Sequence, residues 1–222
     1  LNGTWQVFGF NNNSENIQLN AEVPGQIHSD LIRANIIPDP LWRDQAEQCQ
    51  WVEDFDWCYK KDFEWSGDSA DSRQILECDG LDTFAAIRLN GDEIGQTDNM
   101  FIPHRLDVTG KLKKGKNNLE ICFRSHKHAL SDKPSKNYFS CFSDDRVFAR
   151  KMQCGFGWDW VHRLVTCGIW RPIRLVSYSQ ARIEDVHVST TIVHGKLAEV
   201  SIKLELERQD AQPVNTIIIL RD

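Results

Sequence analysis

The chain has 222 residues, of which 41% are hydrophobic and 26% are charged, and this composition argues against an intrinsically disordered protein. Its formal net charge of −6 argues against the concentrated basic surface that nucleic-acid binding requires. No apolar run approaches the length of about 20 residues that a membrane-spanning helix needs. Nucleic acid and membranes are therefore not expected as partners.

Nearly all elements predicted along the chain are β-strands. Trp5 and Val7 alternate with polar neighbours, which is typical of a half-buried strand. Pro24-Gly25 predicts a turn, and the apolar spacing that follows predicts one short helix ending before Pro38. Further strands are predicted at residues 57–65, 75–78, 84–89, 93–95, 119–124 and 173–178.

Two connections stand out between these strands. Asn90-Gly91 predicts a two-residue hairpin turn, because both residues tolerate the positive φ of a type I′ turn. Residues 125–153 are polar and are predicted to form a long loop.

The character of the chain changes near residue 180. Residues 183–192, 197–207 and 214–220 predict three strands. Three strands cannot close a sandwich, because they leave an open edge and a half-covered face. We therefore predict two domains, residues 1–180 and the first strands of a second β-sandwich at residues 182–222. The alternative is that these strands extend the first sheet.

The seven cysteines do not form a Cys-x-x-Cys motif, so a zinc ribbon or a thioredoxin-like site is not supported. Cys58, Cys78 and Cys122 lie within predicted strands and are expected to be buried free thiols, with one or two disulfides as the alternative. The unpaired count and the lack of an opening signal peptide favour a cytoplasmic location. Lysosomal or secreted locations stay open.

Motifs for nucleophilic catalysis or phosphate binding are absent from the sequence. His126 and His128 are two residues apart and could offer two metal ligands, but no carboxylate at a suitable spacing completes the set. They are expected to be surface histidines. No metal and no cofactor is predicted.

Acidic side chains that lie close together are candidates for a catalytic pair, because glycoside hydrolysis uses two carboxyl groups. Glu53, Asp54 and Asp56 cluster in one short stretch and are expected to be solvated. Asp79 and Asp82 flank a glycine and are expected to form a turn.

The segment Trp158-Asp159-Trp160 places an acid between two indoles, directly after a glycine-rich stretch. An exposed Asp beside indoles can accept hydrogen bonds from sugar hydroxyls while a ring packs on the C–H face of the sugar. The alternative is a buried Asp that caps backbone groups among core tryptophans. The residues alone favour neither interpretation.

Four stretches in this order resemble the β-mannosidases of glycoside hydrolase family 2. They are VPGQIHSDL (residues 23–31) with IPDP (37–40), Trp51-Val52 with Trp57 and Tyr59, GQTDNMF (95–101), and RKMQCGFGWDW (150–160) with GIWRP (168–172). The resemblance implies an all-β architecture. A galactose-binding-like jelly-roll sandwich is followed by the first strands of an immunoglobulin-like β-sandwich.

The same resemblance implies an activity for a longer protein. A barrel domain that follows in the family supplies both glutamates of a retaining mechanism, so no catalytic residue is expected in this chain, which should be inactive alone. The parent would remove terminal β-D-mannose from carbohydrate. The resemblance implies substrate contacts for Trp158 and Asp159, with Trp160 as support, although Val161-His162 replace the Gly-Pro usual in the family.

Three alternatives to this interpretation remain at the sequence level. The chain could be a free-standing carbohydrate-binding module, or its parent could have another family 2 β-glycosidase specificity. It could also be an interaction sandwich without a ligand. That last hypothesis predicts a buried Asp159, whereas a sugar-binding role predicts an exposed one.

Overall fold

The computed structural model describes residues 1–11, 14–67, 72–134 and 143–219, and the part described is mostly β-strand, as predicted. The strands are β1 (Gly3–Asn11), β2 (Ser14–Val23), β3 (Asp56–Trp65), β4 (Arg73–Cys78), β5 (Ala85–Leu89), β6 (Asp92–Thr97), β7 (His104–Asp107), β8 (Gly115–Phe123), β9 (Ile173–Tyr178), β10 (Ala181–His194) and β11 (Leu197–Arg208). The helices are α1 (Ile27–Arg33), α2 (His126–Ala129), and 3₁₀ helices at Gln45–Asp54, Asp145–Phe148 and Gln153–Phe156.

Two antiparallel sheets enclose the core. The larger has the strand order β2-β1-β3-β8-β5-β6, and the smaller has the order β7-β4-β9. Alternation in β3 directs Trp57 and Tyr59 inward, where both are almost completely buried. They belong to one cluster with Leu76 of β4 and Ile173 of β9, so both sheets share this core. Each such side chain contributes about 1.5–3 kcal/mol through burial.

Two local predictions are confirmed. The β5–β6 hairpin turns at Asn90 and Gly91, which have φ values of 55° and 93°. Helix α1 buries Ile27 and Leu31 and ends at Arg33, well before Pro38. The 3₁₀ helix Gln45–Asp54 was not predicted, because its sequence has no clear apolar periodicity.

The free-thiol prediction is wrong for Cys58 and Cys122, which form a disulfide. They lie directly opposite each other on β3 and β8, with their Cα atoms 4.0 Å apart. Alternation along β3 places Cys58 on the half-buried outer face of the sheet, whereas Trp57 and Tyr59 lie on its inner face. Cys78 is a buried free thiol as predicted, and burial raises its pKa to about 12. The cytoplasmic location stays a prediction.

The loop predicted at residues 125–153 contains helical turns, α2 and Asp145–Phe148, while residues 135–142 lie outside the described part. No helix among the described residues is long and apolar enough to cross a bilayer.

Beyond residue 180, β10 and β11 form a separate two-stranded sheet. The third predicted strand is wrong for residues 214–219, which have no strand structure, and residue 220 lies outside the described part. Among described residues nothing pairs with this segment, and an extended segment without a hydrogen-bonded neighbour is not a ladder strand.

The β10–β11 sheet has one apolar face. Two β-bulges in β10, between Ile183 and Asp185 and between Thr190 and Ile192, shift its alternation twice. Each shift keeps apolar residues of β10 opposite apolar residues of β11. The opposed pairs are Ile183 and Leu206, Val186 and Leu204, Val188 and Ile202, and Val193 and Ala198. Most of these side chains are exposed.

Candidate functional site

The segment predicted to contact substrate forms a tight turn, which we call the WDW turn (residues 158–160). Trp158 N donates to Val161 O at 3.0 Å, and Val161 N donates back to Trp158 O at 3.4 Å. Asp159 and Trp160 therefore occupy the tip of a two-residue turn. Gly157, directly before it, has a φ of 96°, a conformation that favours glycine.

The WDW turn presents its side chains to solvent. Trp160 is 70% exposed, Trp158 is 41% exposed, and Asp159 is exposed. The Arg146 guanidinium carbon lies 5.2 Å from the Trp158 ring centroid, within cation–π range. The interpretation of Asp159 as a buried capping residue is therefore wrong. Two indoles and a carboxylate at one exposed tip can offer an apolar face and hydrogen-bond acceptors to a sugar.

A partly buried ion pair involves Arg163, which follows the turn by three residues. Arg163 Nε donates to Glu53 Oε2 at 2.9 Å, and Arg163 Nη2 donates to Glu53 Oε1 at 3.1 Å. Lys127 Nζ lies 2.9 Å from Glu53 Oε1. The prediction of a solvated Glu53 is thus wrong, because cations from two distant segments pair with it, whereas Asp54 and Asp56 remain partly exposed.

The two histidines have different surroundings. His126 is buried, its ring lies edge-on to Phe156 with centroids 5.1 Å apart, and its Nε2 lies 3.3 Å from Arg163 Nη2. The surface prediction is wrong for His126, because α2 packs beside the 3₁₀ helix Gln45–Asp54. His128 is partly exposed, and its Nδ1 lies 3.0 Å from Asp56 Oδ1. Over the described residues, no group of three metal-ligating side chains comes together.

Comparison with known proteins assigns the family. Residues 5–171 match the model of the "Glycosyl hydrolase 2 galactose-binding domain-like" family. The chain belongs to this family. The resemblance and the galactose-binding-like jelly-roll fold inferred from the sequence are thereby confirmed, with an all-β structure that agrees.

The relatives of this family 2 chain include named glycosidases. Beta-mannosidase B of Thermothelomyces thermophilus is 36% identical over 189 residues, and that of Aspergillus terreus is 37% identical over 208 residues. These alignments cover 83% and 90% of the chain but 22% and 25% of the relatives. The chain thus spans about a quarter of the length of the curated relatives it matches.

Solved structures agree with the family assignment. The beta-D-mannosidase of Dictyoglomus thermophilum matches with a TM-score of 0.85 and 38% identity, over 95% of this chain and 26% of that chain. The exo-chitosanase CsxA of Amycolatopsis orientalis matches with a TM-score of 0.60 and 16% identity, over 87% of this chain and 21% of that chain. The second match concerns the fold alone.

Sequence reasoning on this family 2 chain singled out the WDW turn but missed its support. Arg163 and Glu53 are 110 positions apart, so no local pattern links them. One available signal was the position of Arg163, which is the first charged side chain after Asp159. Acids at positions 53, 54 and 56 looked equivalent in sequence, and only the fold distinguishes Glu53.

Proposed function

We propose that this chain is the non-catalytic, substrate-lining region of a retaining, exo-acting β-mannosidase. The observation that carries the proposal is the match to a solved beta-D-mannosidase across 95% of the chain. The relatives are glycoside hydrolases, and the chain spans about a quarter of their length. Both catalytic carboxyl groups are assigned to the remainder of the parent protein, so this chain alone should not hydrolyse a glycoside.

The WDW turn is proposed to bind the terminal mannose. Asp159 would accept hydrogen bonds from two sugar hydroxyls, and the half-exposed Trp158 ring would pack against the C–H face. Trp160 would support the turn. Contacts of this kind, remote from the bond that breaks, hold the substrate in place for reaction without performing chemistry.

The domain boundary near residue 181 is part of the same proposal. Residues 1–180 form the jelly roll, and residues 182–222 belong to an immunoglobulin-like sandwich. Support comes from the apolar face of the β10–β11 sheet, because a contiguous exposed apolar face usually packs against another layer.

One experiment compares this chain with the same reading frame extended beyond residue 222. Both are assayed on a chromogenic β-mannoside, with the corresponding β-glucoside as a test of specificity. We expect activity only in the extended protein. Turnover by the 222-residue chain would contradict the proposal. Faster hydrolysis of the β-glucoside by the extended protein would mean that its substrate is a β-glucoside and not a β-mannoside.

Asp159→Ala in the extended protein tests the role of the turn. Loss of charge-assisted hydrogen bonds worth about 1.5–3 kcal/mol should lower kcat/KM by about 10- to 100-fold. Asp92→Ala, at an exposed acid beside the β5–β6 turn, is the matched control and should leave kcat/KM unchanged. Equal kcat/KM values for the two variants would show that Asp159 does not contact the substrate.

The exposed indoles also fit a free-standing carbohydrate-binding module. Titration of the 222-residue chain with methyl β-mannoside, followed by tryptophan fluorescence, separates the two hypotheses. Binding that matches the extended protein in strength would favour the module. We expect much weaker binding by the short chain, because part of the pocket comes from elsewhere in the parent.

A further inference from the structure

We propose that Arg163 and Glu53 are a positioning pair that fixes the conformation of the WDW turn. The proposal deepens the function above and rests on it for the consequence in sugar binding. The positioning itself concerns the unliganded chain and can be tested without any sugar.

The WDW turn has few restraints of its own. Two backbone hydrogen bonds between Trp158 and Val161 close it, and the tip residues Asp159 and Trp160 are exposed. His162 does not fix its own φ as the Pro usual at this position in the family would. The conformation of the exposed tip therefore depends on contacts at the base of the turn.

Arg163 contacts both arms of that base. Its Nη1 donates to Phe156 O at 3.5 Å, and its guanidinium carbon lies 5.4 Å from the Phe156 ring centroid. The Arg163 Cβ is 3.5 Å from the position that a Cβ on Gly157 would occupy, so the incoming and outgoing arms are in close contact. One side chain thus joins the segment entering the turn to the segment leaving it.

Glu53 anchors Arg163 to the 3₁₀ helix Gln45–Asp54. The two side chains form a bidentate pair, a geometry that fixes orientation as well as distance. The backbone of Glu53 is fixed too, because Ser125 Oγ donates to Glu53 O at 2.5 Å. Lys127 pairs with the same carboxylate. The turn is therefore tied to the 3₁₀ helix Gln45–Asp54 and to α2.

Because Arg163 makes these contacts together, a substitution at position 163 should change the conformation of the WDW turn. A lysine keeps the charge but cannot form the bidentate fork or reach the Phe156 carbonyl at the same time. A glutamine removes the charge, so that Lys127 is the cation still paired with the buried Glu53 among the described residues. We expect a graded loss of order in the WDW turn, with glutamine worse than lysine.

The experiment labels the 222-residue chain with 5-fluorotryptophan and records ¹⁹F NMR spectra without sugar. Trp158→Phe and Trp160→Phe assign the two resonances of the turn. Arg163→Gln should shift both resonances towards the position of a fully solvated indole, while those of the core residues Trp5 and Trp57 stay in place. Arg163→Lys should give a smaller shift in the same direction.

Two further variants make the result decisive. Glu53→Gln should reproduce the Arg163→Gln shifts if the two residues act as a pair. Arg171→Gln is the matched control, because Arg171 stacks on Trp170 at 4.2 Å and should move only that resonance. Unchanged Trp158 and Trp160 resonances in Arg163→Gln and Arg163→Lys, with core resonances intact, would overturn the proposal. If Arg163→Gln does not fold, the test rests on Arg163→Lys: a shift of the Trp158 and Trp160 resonances supports the proposal, and unchanged resonances overturn it.

A separate kinetic measurement distinguishes failure of this proposal from failure of the proposed function. In the extended protein, Arg163→Lys should raise KM for the β-mannoside more than it lowers kcat, since the turn binds but does not react. If Asp159→Ala is kinetically silent while the Arg163 spectra shift as expected, the positioning role stands and the sugar-binding role fails. If the spectra do not shift while Asp159→Ala lowers kcat/KM, the sugar-binding role of Asp159 stands and the positioning role of Arg163 fails.

Discussion

Lys151 Nζ lies 2.9 Å from Asp82 Oδ1, and both side chains are only 3% exposed. Lys151 also donates to Thr166 O at 2.5 Å, and Asp82 Oδ2 accepts from Thr166 Oγ1 at 2.6 Å. Thr83 Oγ1 donates to Asp82 as well. This buried pair joins the segment after β4 to the two segments that flank the WDW turn in sequence. Asp82, predicted to be a simple turn residue, is thus an internal anchor.

Lys151→Met should lower the free energy of unfolding by about 3–5 kcal/mol, because it leaves a buried carboxylate without its cation. Urea denaturation followed by tryptophan fluorescence measures the change. Arg150→Gln is the neighbouring control, since Arg150 and Asp98 form a pair in which both side chains are well exposed. Such pairs contribute about 0–1 kcal/mol.

A second variant isolates the pair itself. Adding Asp82→Asn to Lys151→Met should recover part of the lost stability, because no unpaired charge then remains in the interior. Equal destabilisation by Lys151→Met and Arg150→Gln would show that the pair is not buried in solution.

The strands were predictable because their signals are local. Trp57 and Tyr59 alternate with polar neighbours, and this alternation alone assigns the inner face of β3. Asn90-Gly91 specifies its own hairpin. The candidate residues of the WDW turn were also recognisable locally, as an acid between two indoles after glycines, although their turn conformation was not predicted.

Long-range partners were not predictable by the same reasoning. In the sequence Glu53 resembles a solvated acid, because its partner Arg163 is 110 positions away. His126 resembles a surface residue, because its contact with Phe156 exists only in the folded chain. Cys58 and Cys122 form a bridge only because the register of β3 and β8 makes them opposite neighbours. These three errors concern a charge, a ring and a pair of thiols whose partners lie far away in the sequence.

The stability of the chain should depend on pH through His28. This residue is buried in α1, and its pKa is lowered from 6.5 to about 4, chiefly by burial and secondly by the positive charge of Lys151. Above pH 6.5 the imidazole is neutral in both the folded and unfolded states. Between pH 6.5 and pH 4 only the unfolded state takes up the proton, so stability falls by about 1.4 kcal/mol per pH unit.

His28→Gln should remove this contribution. Free energies of unfolding measured between pH 7 and pH 4 should then fall less steeply with decreasing pH than in the unmodified chain. His162→Gln serves as the control, because His162 is exposed and its replacement should leave the slope unchanged. Parallel curves for the His28 variant and the unmodified chain would mean that His28 is solvated in the folded state.

Glu77 links the jelly roll to the β10–β11 sheet. Its side chain is 5% exposed, Arg182 Nη1 of β10 lies 2.6 Å from its Oε1, and Arg174 Nε of β9 lies 2.8 Å from its Oε2. Burial acts to raise the pKa of Glu77, but the hydrogen bonds and charges of Arg182 and Arg174 outweigh it and lower the pKa. Arg105 of β7 belongs to the same network, because it pairs with Glu184 of β10 and its Nε lies 3.5 Å from Glu77 Oε1.

Arg182→Gln should therefore loosen the β10–β11 sheet from the jelly roll without unfolding either. Hydrogen–deuterium exchange should become faster in β10 and β11, because ion pairs to the jelly roll stabilise a small sheet that has little core of its own. Glu205→Gln is the matched control, since Glu205 pairs with Lys203 within the same strand. If both variants exchange at the rate of the unmodified chain, the Glu77–Arg182 ion pair does not hold the β10–β11 sheet against the jelly roll, and the Arg73–Glu207 and Arg105–Glu184 pairs become the next contacts to test.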